Sequence, residues 1–287
     1  MKISLECYPC LLRNALDAAK AASTEKDVQQ QALQAAMKIL QDVPLDTSPP
    51  AIASAIHRRI REITGNPDPY AVIKEEQNSY LLQLEPFLIE HVRSAKAPLW
   101  EAVKLSAACN AIDLGPSRDW SLVQEISDQL LEPPMGRFDR AELEKSLMDA
   151  NSLLFIGDNA GEIVGDKILI TFLKALGNLE ITFAVRGGPI LNDATQEDAK
   201  RVGMDRYAHV ITTGLDCPGV ILSECSDEFR KCYENADVIL AKGQGNYETL
   251  VDGPREVYCL LQAKCQVVAE DLGADLGEIN LVSSKKA

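Results

Sequence analysis

The chain of 287 residues is poor in positive charge. Lysine and arginine together number 29 against 43 aspartate and glutamate residues, which gives a net charge of −14. Proteins that bind nucleic acid or an anionic membrane surface need an excess of Lys and Arg, so the composition argues against both partners. A small anionic ligand remains compatible with this charge, because a bound metal ion can supply positive charge locally.

Long apolar stretches are missing as well. No segment approaches the roughly 18 apolar residues that a membrane-spanning helix requires. The N-terminal segment does not have the pattern of a signal peptide, since Glu6, Arg13 and Asp17 interrupt the part that would have to be uncharged. We therefore expect a cytoplasmic protein whose eight cysteines are mostly reduced.

Histidine is rare, and its distribution excludes one class of metal site. The three histidines, His57, His91 and His209, are scattered along the chain. A zinc or iron centre built mainly from histidine is therefore not expected, because such centres bring several imidazoles together.

A Cys-x-x-Cys pair stands near the N-terminus at Cys7 and Cys10. A thioredoxin-type motif would need a preceding strand, and only six residues precede this pair. A structural zinc site would need two further soft ligands, for which Cys109 or Cys265 would have to approach through the fold. We expect the two cysteines to have a structural role in packing. The alternative roles are binding a metal ion and forming a redox disulfide.

The first part of the chain, from Cys7 to about Asp113, has the apolar spacing of helices. Apolar residues recur there at intervals of three and four, and alanine-rich segments favour helix. The segments with this period are 11–19, 32–40, 52–63 and 81–92. Prolines between them separate the helices, so we predict a helical bundle.

From about Ser152 onward, short apolar strands alternate with helical segments. The predicted strands are 153–156, 181–185, 210–212, 237–241 and 266–269, and the predicted helices include 162–176 and 195–202. This alternation indicates βαβ units, a parallel sheet and helices on both of its faces, which is the α/β class. We interpret 113–149 as a connection with two short helices.

The ends of the predicted strands carry the candidate chemistry, because ligands of open parallel sheets bind beyond the carboxyl ends of the strands. Asp158 and Asn159 follow the first strand between Gly157 and Gly161. Carboxylate and amide oxygens suit Mg²⁺ or Mn²⁺, and the next helix offers its N-terminal N–H groups to an anion. Alternatively, Asp158 caps that helix and Asn159 forms a turn.

Asp193 lies beyond the second predicted strand, just before a predicted helix. It could complete an oxygen site with Asp158 and Asn159, or it could serve only as a helix cap. Arg186, at the end of the same strand, could contact substrate or pair with a surface acid. The segment 212–219 after the third strand could shape a substrate pocket, although an ordinary Gly/Pro loop explains it as well.

Lys242 comes directly after another predicted strand, together with Gly243, Gly245 and Asn246. A lysine in such a setting suits phosphate, because it brings a point charge and glycines let backbone N–H groups approach oxygen. The segment lacks the GxxxxGK[ST] pattern of a Walker A loop, and a solvated lysine in a turn is the alternative. Taken together, the strand ends would hold a cation and a phosphate simultaneously.

Three motifs occur in the order GDNAGE (157–162), RGGPILNDAT (186–195) and KGQGNYE (242–248). In combination they resemble the damage-control phosphatase family, long called domain of unknown function eighty-nine. The segments CYPCLLR (7–13), DPY (68–70) and CNAIDLG (109–115) look like its cysteine-bearing microbial subgroup. The sequence departs from the family pattern at Cys109, where Gly is expected, and at Gln266, where Pro is expected.

The resemblance implies a fold, a cofactor and a substrate class. The fold would be an all-helical N-terminal domain with its connecting segment, 1–135, and a Rossmann-like three-layer α/β/α domain with a mainly parallel sheet, 136–287. The cofactor would be a divalent metal, Mg²⁺, Mn²⁺, Co²⁺ or Ni²⁺, held by Asp158, Asn159 and Asp193. The substrates would be small phosphorylated metabolites, such as damaged or side-product sugar phosphates, nucleotides or cofactor precursors.

The resemblance also implies roles for residues around the metal. Lys242 would contact the substrate phosphate, and Gly243, Gly245, Asn246, Arg186 and Asn110 are the further candidates for phosphate or substrate binding. The attacking group is either a metal-bound water or a carboxylate such as Asp158. The Asp-x-Asp pattern of haloacid dehalogenases is absent at 158–160, so a phosphoaspartate is not assumed.

Two other functions remain open at this point. Members of the family have also been proposed to methylate carboxylates with S-adenosylmethionine, although 157–161 matches a glycine-rich cofactor loop poorly. A non-catalytic sensor of metals or metabolites would use the helical part and the Cys-x-x-Cys pair for interaction.

Overall fold

Five helices form the N-terminal part of the computed structural model, which describes residues 1–111 and 131–285 except for the side chains of Asn110 and Ala111. They are α1 Cys7–Ala22, α2 Lys26–Gln41, α3 Pro49–Thr64, α4 Ala71–Ser94 and α5 Pro98–Ala111. The four helical segments predicted from apolar spacing lie inside α1 to α4. Within the connection predicted at 113–149, only 131–149 falls in the described residues.

Helices α1, α2 and α3 pack on one another through small side chains. Ala15, Ala19 and Ala32 are fully buried in their shared core, which lets the helix backbones approach closely. Two prolines begin α3 where the first-turn N–H groups have no helical partner. Gly65 ends it in the left-handed conformation at φ 66°.

The second part of the chain is a seven-stranded sheet with the order β1-β7-β6-β5-β2-β3-β4. The strands are β1 Met135–Phe138, β2 Ser152–Ile156, β3 Glu180–Val185, β4 His209–Thr212, β5 Val238–Lys242, β6 Tyr258–Gln262 and β7 Ile279–Ser283. Every neighbouring pair is parallel except β6 with β7. The α/β class with a mainly parallel sheet is therefore confirmed.

Helices cover both faces of this sheet. They are α6 Arg140–Met148, α7 Glu162–Lys174, α8 Gln196–Arg201, α9 Asp227–Asn235, α10 Gln244–Leu250 and α11 Gln266–Leu272. In β2, Leu153 and Phe155 belong to the core beneath α5 and α7, whereas Leu154 and Ile156 belong to the core on the opposite face. Because α4 and α5 pack directly on α7, the helical part reaches the sheet itself. The domain boundary at 135/136 stays a prediction.

One strand prediction is wrong, and three strands were missed. Residues 266–269, predicted as a strand, begin α11. The buried residues of α11 are Val268, Ala269 and Leu272. Ala269 and Leu272 lie one and four positions after Val268, which is the spacing of a helix and not the alternation of a strand. The missed strands, β1, β6 and β7, form one end of the sheet, where the antiparallel β7 interrupts the βαβ alternation.

The strand order creates a crevice at the carboxyl end of β2. The chain runs outward from β2 to β3 and β4 and then returns to place β5 on the other side of β2. Such a reversal is the topological switch point at which open parallel sheets bind ligands. None of the helices in the described part of the chain has the length and apolarity required to cross a bilayer.

Candidate active site

The loops after β2 and β3 are joined at the switch point by backbone hydrogen bonds. The N–H of Ala194 donates to the carbonyl of Asp158 at 2.7 Å, and Asn159 and Asp193 form a β-bridge. This pairing continues where the N–H of Ala160 donates to the carbonyl of Asn192 at 2.8 Å. The loops therefore hold Asp158, Asn159 and Asp193 side by side, as the sequence predicted for an oxygen site.

Arg186, the first residue after β3, joins the two acids. Its Nε donates to Asp193 Oδ2 at 2.7 Å, and Nη2 donates to Asp158 Oδ1 at 3.3 Å. Its Nη1 donates to Asn246 Oδ1 at 2.9 Å. The guanidinium is only 1% exposed, so it lies behind the acids instead of projecting into solvent.

Burial and neighbouring acids make the ionised form of these carboxyl groups costly. Burial raises the pKa of Asp158 to about 8, and the neighbouring Asp193 and Glu162 add to the shift, against the effects of Arg186 and Lys264. Burial also raises the pKa of Asp193, although its pair with Arg186 opposes this. Charges of one sign that are held together in a buried site favour binding of a cation.

The loop after β5 approaches Asp158 from the other side of the crevice. Gly243 has φ 80°, a left-handed conformation that side chains rarely adopt. A Cβ atom at this position would lie 1.9 Å from Asp158 Oδ2. Only glycine therefore fits, because the carboxyl group of Asp158 occupies the place that a side chain would take.

Lys242 is placed differently from the sequence-based expectation. Its side chain is fully buried, and its ammonium group donates to Glu162, to Asp166 at 2.6 Å and to the carbonyl of Ser106 at 2.9 Å. Lys242 does not belong to the lining of the cleft described next. The ammonium group thus lies below the acids, between α7 and α5, instead of in open contact with solvent.

A cleft of about 740 Å³ lies over the acids. Asp158, Asn159, Asp193 and Gly245 form its floor. Residues of the helical part form the opposite wall, namely Glu6, Cys7, Cys10, Leu11, Asn14, Pro49, Pro50, Ala53, Gln77 and Cys109. Helix α3 is fixed over the sheet by ion pairs of Arg58 and Arg61 with Asp216, which follows β4. The cleft is therefore built by both parts of the chain.

The predicted site residues thus separate into two groups. Asp158, Asn159, Asp193 and Gly245 line the cleft, whereas the side chains of Arg186, Lys242 and Asn246 are buried beneath it. Gly243 is between them, next to Asp158. The side chain of Asn110, another predicted contact, lies outside the described residues.

Sequence reasoning missed three residues of the site. Glu162 lines the cleft and accepts hydrogen bonds from Asn159, although its motif position had suggested only a helix start. Gln77 comes from α4, where a helical period marks the buried face but does not show what that face meets. Lys264 follows β6, a strand that was not predicted, so its place at a strand end carried no signal.

The residues present fit a hard divalent cation. Two carboxyl groups and an amide meet at one place, and burial together with the neighbouring acids raises the pKa of Asp158, a cost that a bound cation would relieve. Within residues 1–111 and 131–285, no group of three or more His, Cys, Asp or Glu side chains is arranged to hold a metal ion. The third donor here would be the carbonyl oxygen of Asn159, which lies outside those residue types.

Four cysteines also line this cleft, and one of them, Cys109 of α5, is buried. Cys7 and Cys10 lie on its helical wall, and Cys265 lies at its rim after β6. All eight cysteines are free thiols. Burial raises the pKa of Cys10, and the nearby Cys265, Cys7 and Glu248 add to the shift. Cys7 and Cys265 therefore lie close enough to Cys10 to affect its pKa.

Comparison with known proteins matches nearly the whole chain to one protein family. The model of the damage-control phosphatase ARMT1-like domain matches residues 3–279. The chain is 35% identical to a damage-control phosphatase of Archaeoglobus fulgidus, with 97% of this chain and 98% of the relative covered. It is 37% identical to an uncharacterized protein of Methanocaldococcus jannaschii, with 97% and 94% covered.

A solved structure has the same architecture. The crystal structure of a DUF89 family protein from Pyrococcus horikoshii superposes with a TM-score of 0.91 at 32% identity, covering 99% of this chain and 100% of that one. The motifs at the ends of β2, β3 and β5, the match of the family model and this shared architecture agree. The chain belongs to the damage-control phosphatase ARMT1-like domain family.

Proposed function

We propose that this protein is a divalent-metal-dependent phosphatase that hydrolyses monoesters of small phosphorylated metabolites. The observation that carries the proposal is the meeting of Asp158, Asn159 and Asp193 on the floor of one cleft, where burial and neighbouring acids raise the pKa of Asp158. Membership of the damage-control phosphatase family supports the reaction type. The cleft of about 740 Å³ matches the size of sites for small molecules.

Asp158, Asn159 and Asp193 would hold Mg²⁺, Mn²⁺, Co²⁺ or Ni²⁺. The bound cation would neutralise charge on the phosphate oxygens and orient the phosphoryl group. Arg186 keeps the two carboxylates at a fixed separation through its hydrogen bonds to both. This arrangement is pre-formed, which is the property that favours stabilisation of the transition state.

Lys264 is the residue that we assign to the substrate phosphate. Among the described residues that line the cleft, it is the one basic side chain. It is exposed, and its positive charge lowers the pKa of Asp158, which places the ammonium group within electrostatic reach of the acids. Its backbone N–H donates to Gln244 Oε1 at 3.2 Å, which joins the loop after β6 to the loop after β5.

Replacing Lys264 with Ala is expected to raise the KM for a phosphate ester about 10- to 100-fold, because a hydrogen bond to a charged group contributes about 1.5–3 kcal/mol. Lys264→Arg should retain most of the affinity, since it keeps the charge. The exposed Lys38 on α2 provides a matched control, and Lys38→Ala should leave KM unchanged. A KM for Lys264→Ala within twofold of the wild-type value would contradict this assignment.

Phosphate release by the purified protein tests the function. The substrates are sugar phosphates, nucleotides and phosphorylated cofactor precursors, each with added Mg²⁺, Mn²⁺, Co²⁺ or Ni²⁺. We expect release with at least one of these metals, loss on adding EDTA, and recovery when the metal is returned in excess. Turnover that is insensitive to EDTA would overturn the metal dependence, and the absence of turnover in every class would overturn the phosphatase assignment.

A further inference from the structure

A buried ion cluster lies directly beneath the cleft. The ammonium group of Lys242 has three protons and three acceptors, namely Glu162, Asp166 and the carbonyl of Ser106. Lys242 and Asp166 are fully buried, and Glu162 is 2% exposed. A lysine whose protons are all engaged in this way has no donor left for a substrate unless the cluster opens.

The two acids of this cluster have different neighbours. Glu162 and Asp166 stand four residues apart on α7 and therefore share one face of the helix. Asp166 accepts a hydrogen bond from the hydroxyl of Ser106 on α5 at 2.7 Å. Glu162 instead faces the loop after β2, where its Oε2 accepts from the backbone N–H of Asn159 at 3.3 Å.

Glu162 also determines how the side chain of Asn159 is oriented. The Nδ2 group of Asn159 donates to Glu162 Oε2 at 3.2 Å and to Asp158 Oδ2 at 3.0 Å. Glu162 Oε2 accepts from both the backbone N–H and the Nδ2 group of Asn159, so the nitrogen end of the amide faces this carboxylate. The carbonyl oxygen is then the end of the amide that can serve a cation.

We infer that Lys242 and Glu162 are positioning residues for the predicted cation ligand Asn159, and that Lys242 acts through Glu162 instead of by touching the substrate phosphate. This inference rests on the proposed function, because it assigns a role to the cation site. The ammonium group fixes one oxygen of Glu162, and the other oxygen fixes both the backbone and the amide of Asn159. Residues of this kind typically change metal affinity 10- to 100-fold when they are replaced.

Binding of Mn²⁺ alone to the full-length protein tests the inference without requiring turnover. In calorimetric titrations, Glu162→Gln should weaken binding about 10- to 100-fold, because an amide oriented by a neutral partner is held less firmly. Asp166→Asn is the matched control. It removes a charge from the same face of α7 and from the same lysine, and its Kd for Mn²⁺ should stay within about threefold of the wild-type value.

Two further variants test whether the lysine acts through the glutamate. They are Lys242→Met and the double variant that combines Lys242→Met with Glu162→Gln. If it does, the double variant should bind Mn²⁺ about as weakly as Glu162→Gln alone, since the two changes remove one interaction. At saturating Mn²⁺, the inhibition constant of inorganic phosphate should be within about twofold of wild type for Lys242→Met. Circular dichroism identifies a variant that does not fold, and the isosteric pair Glu162→Gln and Asp166→Asn then decides the question.

The outcomes separate the inference from the function on which it rests. Equal Mn²⁺ affinity in Glu162→Gln and Asp166→Asn, multiplicative losses in the double variant, or a phosphate inhibition constant raised tenfold by Lys242→Met would each overturn the inference alone. A wild-type protein that binds no divalent metal would overturn the proposed function and the inference with it. Wild-type binding of Mn²⁺ without turnover would overturn the phosphatase assignment only.

Discussion

Replacing Asp193 with Asn is expected to reduce phosphate release by at least about 10²- to 10³-fold, which is the loss seen when one preorganised electrostatic group is removed from an active site. Asp193 is 2% exposed, lies beside Asp158 on the cleft floor and supplies one of the two carboxylates proposed to hold the cation. Asn is nearly isosteric, so the loop after β3 should keep its shape. The measurement is kcat/KM at saturating Mn²⁺.

The stability of this variant distinguishes a functional acid from a structural one. Asp193 forms a buried ion pair with Arg186, and this pair opposes the rise that burial causes in the pKa of Asp193. Metal-free Asp193→Asn should therefore melt below the wild-type temperature, because buried Arg186 loses the charge of its nearer partner, and it should also lose the rise in Tm that Mn²⁺ gives the wild type. Asp205→Asn, at an exposed acid, serves as the control with normal activity. More than a tenth of wild-type activity in Asp193→Asn would contradict the assignment.

The position of the acids could be predicted from the sequence because it depends on local order. Alternating strands and helices indicate a parallel sheet, and residues that follow its strands must meet at one edge. Asp158 and Asp193 follow β2 and β3, which are neighbours in the sheet with a regular parallel register. Their convergence therefore needed no knowledge of how the helices pack.

The environment of Lys242 could not be predicted in the same way. Its position at the end of β5 was correct, but three groups remote in sequence determine where its ammonium group lies. They come from α5 and from two successive turns of α7, whose approach to the sheet depends on tertiary packing. A lysine that ends a strand and precedes a glycine-rich loop has the same local pattern in a solvated turn and in a buried ion cluster.

The end of the sheet formed by β1, β6 and β7 was missed for a related reason. Its strands have only four or five residues each, and β7 runs antiparallel to β6, although β5, α10 and β6 form a βαβ unit. Without β6, the rim residue Lys264 could not be recognised as following a strand. The valine pair at 267–268 then resembled the missing strand, although it belongs to α11.

Arg186 carries the second large effect that we expect, and this effect concerns stability. Arg186→Met should lower the free energy of unfolding of the metal-free protein by about 3–5 kcal/mol, because it leaves two buried carboxylates without their cation. Asp158 and Asp193 both lose a hydrogen-bond donor in this variant. The measurement is denaturant unfolding at neutral pH, with EDTA present.

The loss of unfolding free energy in Arg186→Met should be smaller when Mn²⁺ saturates the protein. A cation bound between the acids would then provide part of the neutralisation that the guanidinium provided. Arg255→Met is a suitable control, because Arg255 donates to the backbone carbonyls of Tyr233, Glu234 and Ala236 and is remote from the acids. The loss of unfolding free energy in Arg255→Met should be the same with and without Mn²⁺. An Arg186→Met deficit that Mn²⁺ leaves unchanged would mean that Arg186 and the cation do not neutralise the same carboxylates, and the proposed ligand set would then have to be abandoned.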